Sequence, residues 1–289
     1  MNLNDLKLFE AVALQGNFTK AAESMFTVQS NVTARIKILE KEFGARLFLR
    51  TSRKVELTPA GRTLLQYAKQ IDNLVEAAKL EIGEGGVVKG QIKIGFIETT
   101  MALKGPELVK ELADKFPHID LDFTSAMPDR LINDVLNQRL DAAFIPAPHS
   151  IAGLEEIHIM DENIVAVTPM SFNSLDELLN QSLVKTIVYD QGCFFRTRLE
   201  AWLVSNNILN YHKTVINSLE GVINFIECGI GFGFLPSEII STFYSGRKIK
   251  TFNLPKEVSK MKTVLIYKKE NLSSPVLKAF ISICGIKNP

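Results

Sequence analysis

The sequence predicts a chain of mixed class, α+β followed by α/β. It comprises an N-terminal winged helix-turn-helix, a long linker helix and a bilobed α/β domain. Three observations predict this. Residues 16–37 read as a short helix, a turn and a polar-faced helix, with a basic hairpin after them. Residues 64–82 carry an apolar side chain at alternating steps of four and three. From residue 91 onward, strand-like and helical runs alternate.

The elements follow in order. A first helix is expected over 3–14, with Leu6, Phe9 and Ala13 on one stripe, and Gly16-Asn17 breaks it. Thr19 is the expected cap of a short second helix that carries Ala21, Ala22 and Met25. A third helix is expected over 29–43. Its residues Val32, Ile36, Leu39 and Phe43 form one apolar face, and Ser30, Asn31, Ala34, Lys37 and Lys41 lie opposite. Gln29, Thr33 and Arg35 flank that polar face, and Gly44 ends the helix. Residues 47–57 alternate as a small hairpin with Arg50, Arg53 and Lys54 near its tip.

Thr58-Pro59 supplies a capping hydroxyl and a proline at the first helical position. Leu64, Ala68, Ile71, Val75, Ala78 and Ile82 then make a heptad seam. A helix of ~25 residues is ~37 Å long. The small N-terminal domain alone cannot cover it, so packing on a second copy is expected ahead of packing on its own α/β domain. Gly83, Gly85, Gly86 and Gly90 mark a joint. The expected division is 1–58 for the winged domain (helix-turn-helix about 18–37) and 59–86 for a dimerising linker helix. The α/β domain takes 87–289, with lobe I at about 91–161 and 265–289 and lobe II at about 162–264.

Strands are expected at 91–97, 119–124 and 141–146, with helices between them running to 116 and 138. A second set comprises a strand at 164–168, a helix from Ser174, a strand at 186–189, a helix at 195–205, a strand at 214–217, a helix to 229 and a strand at 232–235. A strand at 263–267 and a helix at 275–284 close the chain. This is the grammar of βαβ units and a mostly parallel sheet, with a cleft between two lobes.

Charge divides unevenly. Residues 1–60 hold nine Lys+Arg against six Asp+Glu, whereas the remainder holds 24 against 26. A local basic excess suits a phosphate backbone, although a solvated charged face has the same composition. The 46% hydrophobic and 22% charged content is that of a globular protein. The first residues are polar and acidic, so no secretory leader is expected, and no run approaches the ~20 apolar residues of a membrane span. Cys193, Cys228 and Cys284 are far apart, which fits a reducing cytoplasm, and His118, His149, His158 and His212 are scattered. No metal site, no cofactor, no membrane partner and no catalytic residue is expected.

A helix with polar side chains beside arginines suits a DNA groove. Gln29 has the geometry for a bidentate contact to adenine, and Ser30, Asn31 and Thr33 reach base or phosphate. Arg50, Arg53 and Lys54 suit phosphate or minor-groove contact, or each makes a surface ion pair. Thr99 and Thr100 end a strand and open a helix, where ligands of open α/β sheets collect; Thr100 also reads as an ordinary cap. Gly192-Cys193-Phe194-Phe195-Arg196 joins a strand to a helix in the same way. Arg196 either charges the cleft or pairs with Glu200 one turn on. Ser218 is a third such position or another cap. Cys193 is read as a small structural residue rather than a sensor, and Trp202 as core. The run 229–233 leaves a helix and enters a strand, opposite to a dinucleotide loop, and is read as a helix stop.

With these residues in view, the chain resembles the LysR-type transcriptional regulators over its whole length. In 1–61 the resemblance rests on the turn, Gln29-Ser30, Leu39-Glu40, Gly44, Leu47-Phe48, Arg50, Arg53 and Leu57-Thr58. In the second half it rests on 95–100, 140–144, 192–196 and 229–231. It implies a periplasmic-binding-protein-like effector domain, double-stranded DNA as partner and a homodimer or homotetramer built on the linker helix. It also implies a small-molecule effector, with RNA polymerase as a further partner. The DNA-facing set is then Thr27, Gln29, Ser30, Asn31, Thr33, Arg35, Lys37, Arg50, Arg53 and Lys54. The effector set is Thr99, Thr100, Met127, Pro128, Gly192, Cys193, Phe194, Phe195, Arg196 and Ser218.

Strand-to-helix loops aim amides inward, so an organic anion is expected. Relatives commonly carry Ser or Thr at Val28 and a polar or basic residue at Ala34, so Thr27 takes over the cap or the helix start frays, and base reading shifts to Gln29, Ser30 and Arg35. Relatives often have Gly and Thr where Ala126-Met127-Pro128 stands, so this cleft is more apolar. The rival reading is a solute-binding protein or small-molecule enzyme built on the α/β half. The enzyme version lacks any nucleophile–base spacing, metal cluster or phosphate loop.

Overall fold

The computed structural model describes residues 1–50, 55–82, 87–147 and 151–284. Helix α1 (Leu3–Gln15) opens with a capping box. Asn2 Oδ1 accepts from the Asp5 amide at 2.9 Å, and Asp5 Oδ2 accepts from the Asn2 amide at 3.0 Å. Asn17, not Thr19, caps α2 (Phe18–Ser24), because its Oδ1 accepts from the amides of both Thr19 and Lys20. Helix α3 (Gln29–Glu42) buries Val32, Ile36 and Leu39 completely. Phe43 departs from that face. It sits at the C-cap, past the last residue the core covers, and is half-exposed.

The wing is an antiparallel pair, β1 (Phe48–Arg50) and β2 (Val55–Leu57). Phe48 packs its ring on Phe9 at 5.3 Å and on Phe18 at 5.8 Å, which ties the wing to the helices.

Thr58 starts α4 (Pro59–Ile82): its Oγ1 accepts from the Gly61 amide at 2.9 Å and donates to the Arg46 carbonyl at 2.6 Å. Only glycine fits at Gly61, because a Cβ there would lie 2.1 Å from the Leu47 carbonyl oxygen. The α4 seam divides. Leu64 and Ala68 are buried with Leu65 in the winged domain's own core, and Ile71 packs against it. Leu64 and Ala68 are therefore not free for a second copy. The reason is that α1 lies along the first half of α4. Val75 is half-buried and Ala78 exposed, while Tyr67, Leu74 and Ile82 stand out from the helix, Ile82 84% exposed. A further flank touches the second half of the chain, where Lys69 Nζ donates to the Gln138 carbonyl.

The α/β region begins with β3 (Gly90–Phe96), α5 (Glu98–Lys115), β4 (Ile119–Ser125), α6 (Pro128–Leu136) and β5 (Ala142–Ala147). β3 pairs in parallel with β4 and β5. Then comes one long strand, β6 (Glu155–Pro169), where a short one was expected. It leads to α7 (Leu175–Leu179), β7 (Val184–Val188), α8 (Phe194–Ser205), β8 (Tyr211–Val215), α9 (Leu219–Glu227) and β9 (Gly233–Pro236). Three short elements follow that carry no clear period: α10 (Ser237–Phe243), β10 (Ile249–Asn253) and α11 (Lys256–Ser259). β11 (Lys260–Tyr267) returns to the first lobe and α12 (Pro275–Ile283) covers it.

The sheets are mixed rather than mostly parallel. β7 and β8 pair in parallel, but β11 lies antiparallel between β5 and β6, and the far half of β6 pairs antiparallel with β9 and β10. The cause is the double crossing. The chain passes between lobes as β6, returns as β11, and each passage adds antiparallel neighbours. The first lobe's core stacks Phe96 on Phe144 at 4.6 Å. The second buries Trp202 against Phe234 at 5.4 Å, as read from the sequence. Among the described residues, no helix is long and apolar enough to cross a membrane.

Candidate functional site

Helix α3 presents a polar face because Val32, Ile36 and Leu39 turn the other face into the core. Gln29, Ser30, Ala34 and Lys37 are exposed, and Thr33 is half-exposed. Val28 has no acceptor and makes no capping bond. Thr27 does not take over the cap: its Oγ1 accepts instead from Asn31 Nδ2 at 3.0 Å. That bond holds the turn against the first helical turn, and α3 begins at Gln29 without fraying.

Arg35 has a partner inside the winged domain that its spacing did not announce. Its Nη1 lies 3.4 Å from the oxygen of the buried Asp5, which turns the guanidinium toward α1. The side chain of Arg50, and Arg53 and Lys54 entirely, lie outside the described residues. One surface residue was missed. Phe26 is 99% exposed at φ 51° in the turn before α3, beside the exposed Val28. An aromatic residue in a turn with no periodic apolar partner was the available signal.

A cleft of about 710 Å³ lies between the lobes. Its walls are strand-to-helix loops, as open α/β folds arrange them. Of the expected residues, Thr99, Met127, Pro128, Cys193, Phe194 and Phe195 line it. Four do not. Thr100 is fully buried behind the wall. Gly192 is at the rim, where a Cβ would lie 3.4 Å from Asp129 Oδ2 of the opposite lobe. Arg196 is held by Glu200 at 2.9 Å and by the Tyr189 carbonyl at 3.3 Å. Ser218 Oγ accepts from the Gly221 amide and is a cap. The hydroxyls of Thr99 and Thr100 are both buried without a hydrogen-bond partner. Burial pushes the Cys193 thiol up, against the pull of the first amides of α8, which disfavours a thiolate.

Glu98 is the residue the sequence reading passed over. It opens α5 in one lobe, yet its carboxylate reaches the other. Both oxygens accept from the Leu219 amide, at 3.0 and 3.1 Å, and Oε2 accepts from the Tyr189 hydroxyl at 3.1 Å. Burial, and after it the charge of Glu98, push the Tyr189 phenol above its usual range, so it stays a donor.

Comparison with known proteins matches two stretches of the chain. Residues 3–62 match the family model of bacterial regulatory helix-turn-helix proteins of the lysR family, and residues 85–286 match the LysR substrate binding domain. The HTH-type transcriptional regulator YusT of Bacillus subtilis (strain 168) is 33% identical over 281 residues, covering 97% of this chain and 94% of its own. Among solved structures, a full-length variant of OxyR from Pseudomonas aeruginosa has a TM-score of 0.77 at 20% identity, covering 99% of this chain and 95% of that one. CbnR in complex with its target DNA has a TM-score of 0.60 at 20% identity, covering 99% of both chains.

Proposed function

The chain belongs to the LysR family of transcriptional regulators, DNA-binding proteins with an effector-binding domain, and from that premise we propose how it works. It reads DNA through the exposed face of α3 and changes its grip when a small organic acid enters the cleft. The observation that carries the first part is α3 itself. Gln29, Ser30 and Lys37 are offered to solvent by a helix that buries Val32, Ile36 and Leu39 on its other face. Gln29 reads a base, with Ser30 and Thr33 beside it, while Lys37 and the wing residues Arg50, Arg53 and Lys54 neutralise phosphates. With no side-chain cap from Val28, the first amides of α3 are left for water or a phosphate. CbnR, solved with its target DNA, has this fold, and that supports DNA as the partner.

The cleft volume suits a small molecule. Met101, Met127 and Phe194 supply an apolar wall and Thr99 a hydroxyl, which fits an acid with a carbon body. Two copies associate along the outer stripe of α4, through Tyr67, Leu74, Ala78 and Ile82. The chain works in the cytoplasm beside RNA polymerase. A solute carrier or an enzyme built on the α/β half would have no use for the winged domain.

A fluorescence-anisotropy titration tests the reading with the DNA upstream of this protein's own gene and a scrambled duplex of equal length. The upstream duplex should bind at least roughly a thousandfold tighter, and both affinities should fall with salt. Equal binding to both duplexes would exclude a sequence-specific regulator of that site.

A further inference from the structure

We propose that Glu98 is an internal anion seated at the carboxylate position of the cleft, and that it holds the two lobes together until an effector carboxylate replaces it. The proposal rests on the reading of the cleft as the effector site and names how that site is regulated.

The seat is built from both lobes. Leu219 is the first residue of α9, a nine-residue helix whose N-terminus carries partial positive charge. Ser218 already satisfies the Gly221 amide, so the Leu219 amide is left for an acceptor from elsewhere. Glu98 supplies it from 121 positions away, and the Tyr189 hydroxyl donates to the same carboxylate. Two donors converging on two oxygens at a helix start are the recognition pattern of a carboxylate. The lobes also approach at the rim, where a Cβ added at Gly192 would lie 3.4 Å from Asp129 Oδ2.

A second observation points to a missing group. Thr99, next to Glu98, lines the cleft 2% exposed, and its hydroxyl has no partner. A buried donor without an acceptor is costly. An effector carboxylate at the seat would take the Leu219 amide and the Tyr189 hydroxyl and give the Thr99 hydroxyl its acceptor. Glu98 would return to water. The closed apo cleft is then a competitor for its own ligand, and effector affinity is lowered by the fraction of time Glu98 holds the seat.

Hydrogen exchange at the Leu219 amide, measured on the full-length protein, tests this. Glu98→Ala should speed exchange there by roughly ten- to a hundredfold, the scale of one hydrogen bond to a charged group. Sodium acetate should slow it again in Glu98→Ala, where sodium chloride of equal ionic strength does not, and acetate should leave the parent unchanged. Tyr189→Phe removes one donor, keeps the carboxylate, and should give a smaller rise that acetate does not reverse. Unchanged exchange in Glu98→Ala, no difference between acetate and chloride, or an equal acetate response in the parent would each overturn the proposal. Failure here with DNA discrimination intact removes only the latch. Equal binding of the two duplexes by the parent removes the reading of that upstream site whatever acetate does.

Discussion

Glu162 lies on β6 where the chain crosses between lobes. It is buried, accepts from the Thr263 hydroxyl of β11, and has a second oxygen with no partner. Burial raises its carboxyl from the ordinary 4.5 to about 7; the Thr263 bond opposes the rise and the charge of Glu238 adds to it. Glu10, half-buried between α1 and α4, is raised to about 7 as well, mainly by burial. A raised acid holds its proton in the folded state after the unfolded chain has released it. The stability contributed by these two groups therefore falls as pH rises from about 4.5 through about 7. Glu162→Gln should flatten that decline, melting near the parent at pH about 4.5 and above it at pH about 8. Melting curves against pH check this, and parallel curves for the two proteins would contradict it. Residue roles were legible where partners are near in sequence. Arg196 and Glu200, four apart, were readable as a pair. Arg35 with Asp5, and Glu98 with Tyr189 and Leu219, meet only through the fold, and no spacing announces them.

At the scale of elements, α4 shows what periodicity can and cannot say. The steps of four and three placed the helix correctly, because Thr58, Pro59 and the apolar residues agree locally. They did not say which neighbour covers each apolar residue. Leu64 and Ala68 face α1, and the outward stripe is Tyr67, Leu74 and Ile82. Leu74 is 58% exposed in one chain. A charge there costs little unless a second copy covers it. Leu74→Asp should thus leave the melting of a single chain nearly unchanged, dissociate the dimer in sedimentation, and weaken binding to two-half-site DNA, whose halves are then read separately. A variant that stays dimeric at micromolar concentration would move the interface off α4. The strands were legible in the same local way, as β3, β4 and β5 show. The crossing geometry of β6 and β11 was not, because antiparallel neighbours come from distant parts of the chain.

The whole molecule joins two ends through α4. Its first half is part of the winged domain's core, and Lys69, its basicity lowered by burial, holds the carbonyl of Gln138 at the edge of the first lobe. On the proposed reading, a change of angle between lobes would reach α4 through that edge and the turn at Lys269–Ser273, which also contacts the helix. Glu98 would set that angle when no effector is present, and on the proposed reading every consequence would be read out at α3. The account therefore stands or falls on whether the exposed face of α3 reads bases. The direct measurement is anisotropy with the upstream duplex and its scrambled counterpart, comparing the parent with Gln29→Ala. Gln29 is exposed at the start of α3, outside the buried set of that helix, so its replacement should leave the fold intact. The account predicts a loss of about 1–3 kcal/mol on the upstream duplex and almost none on the scrambled one. Equal losses on both, or none on either, would contradict it.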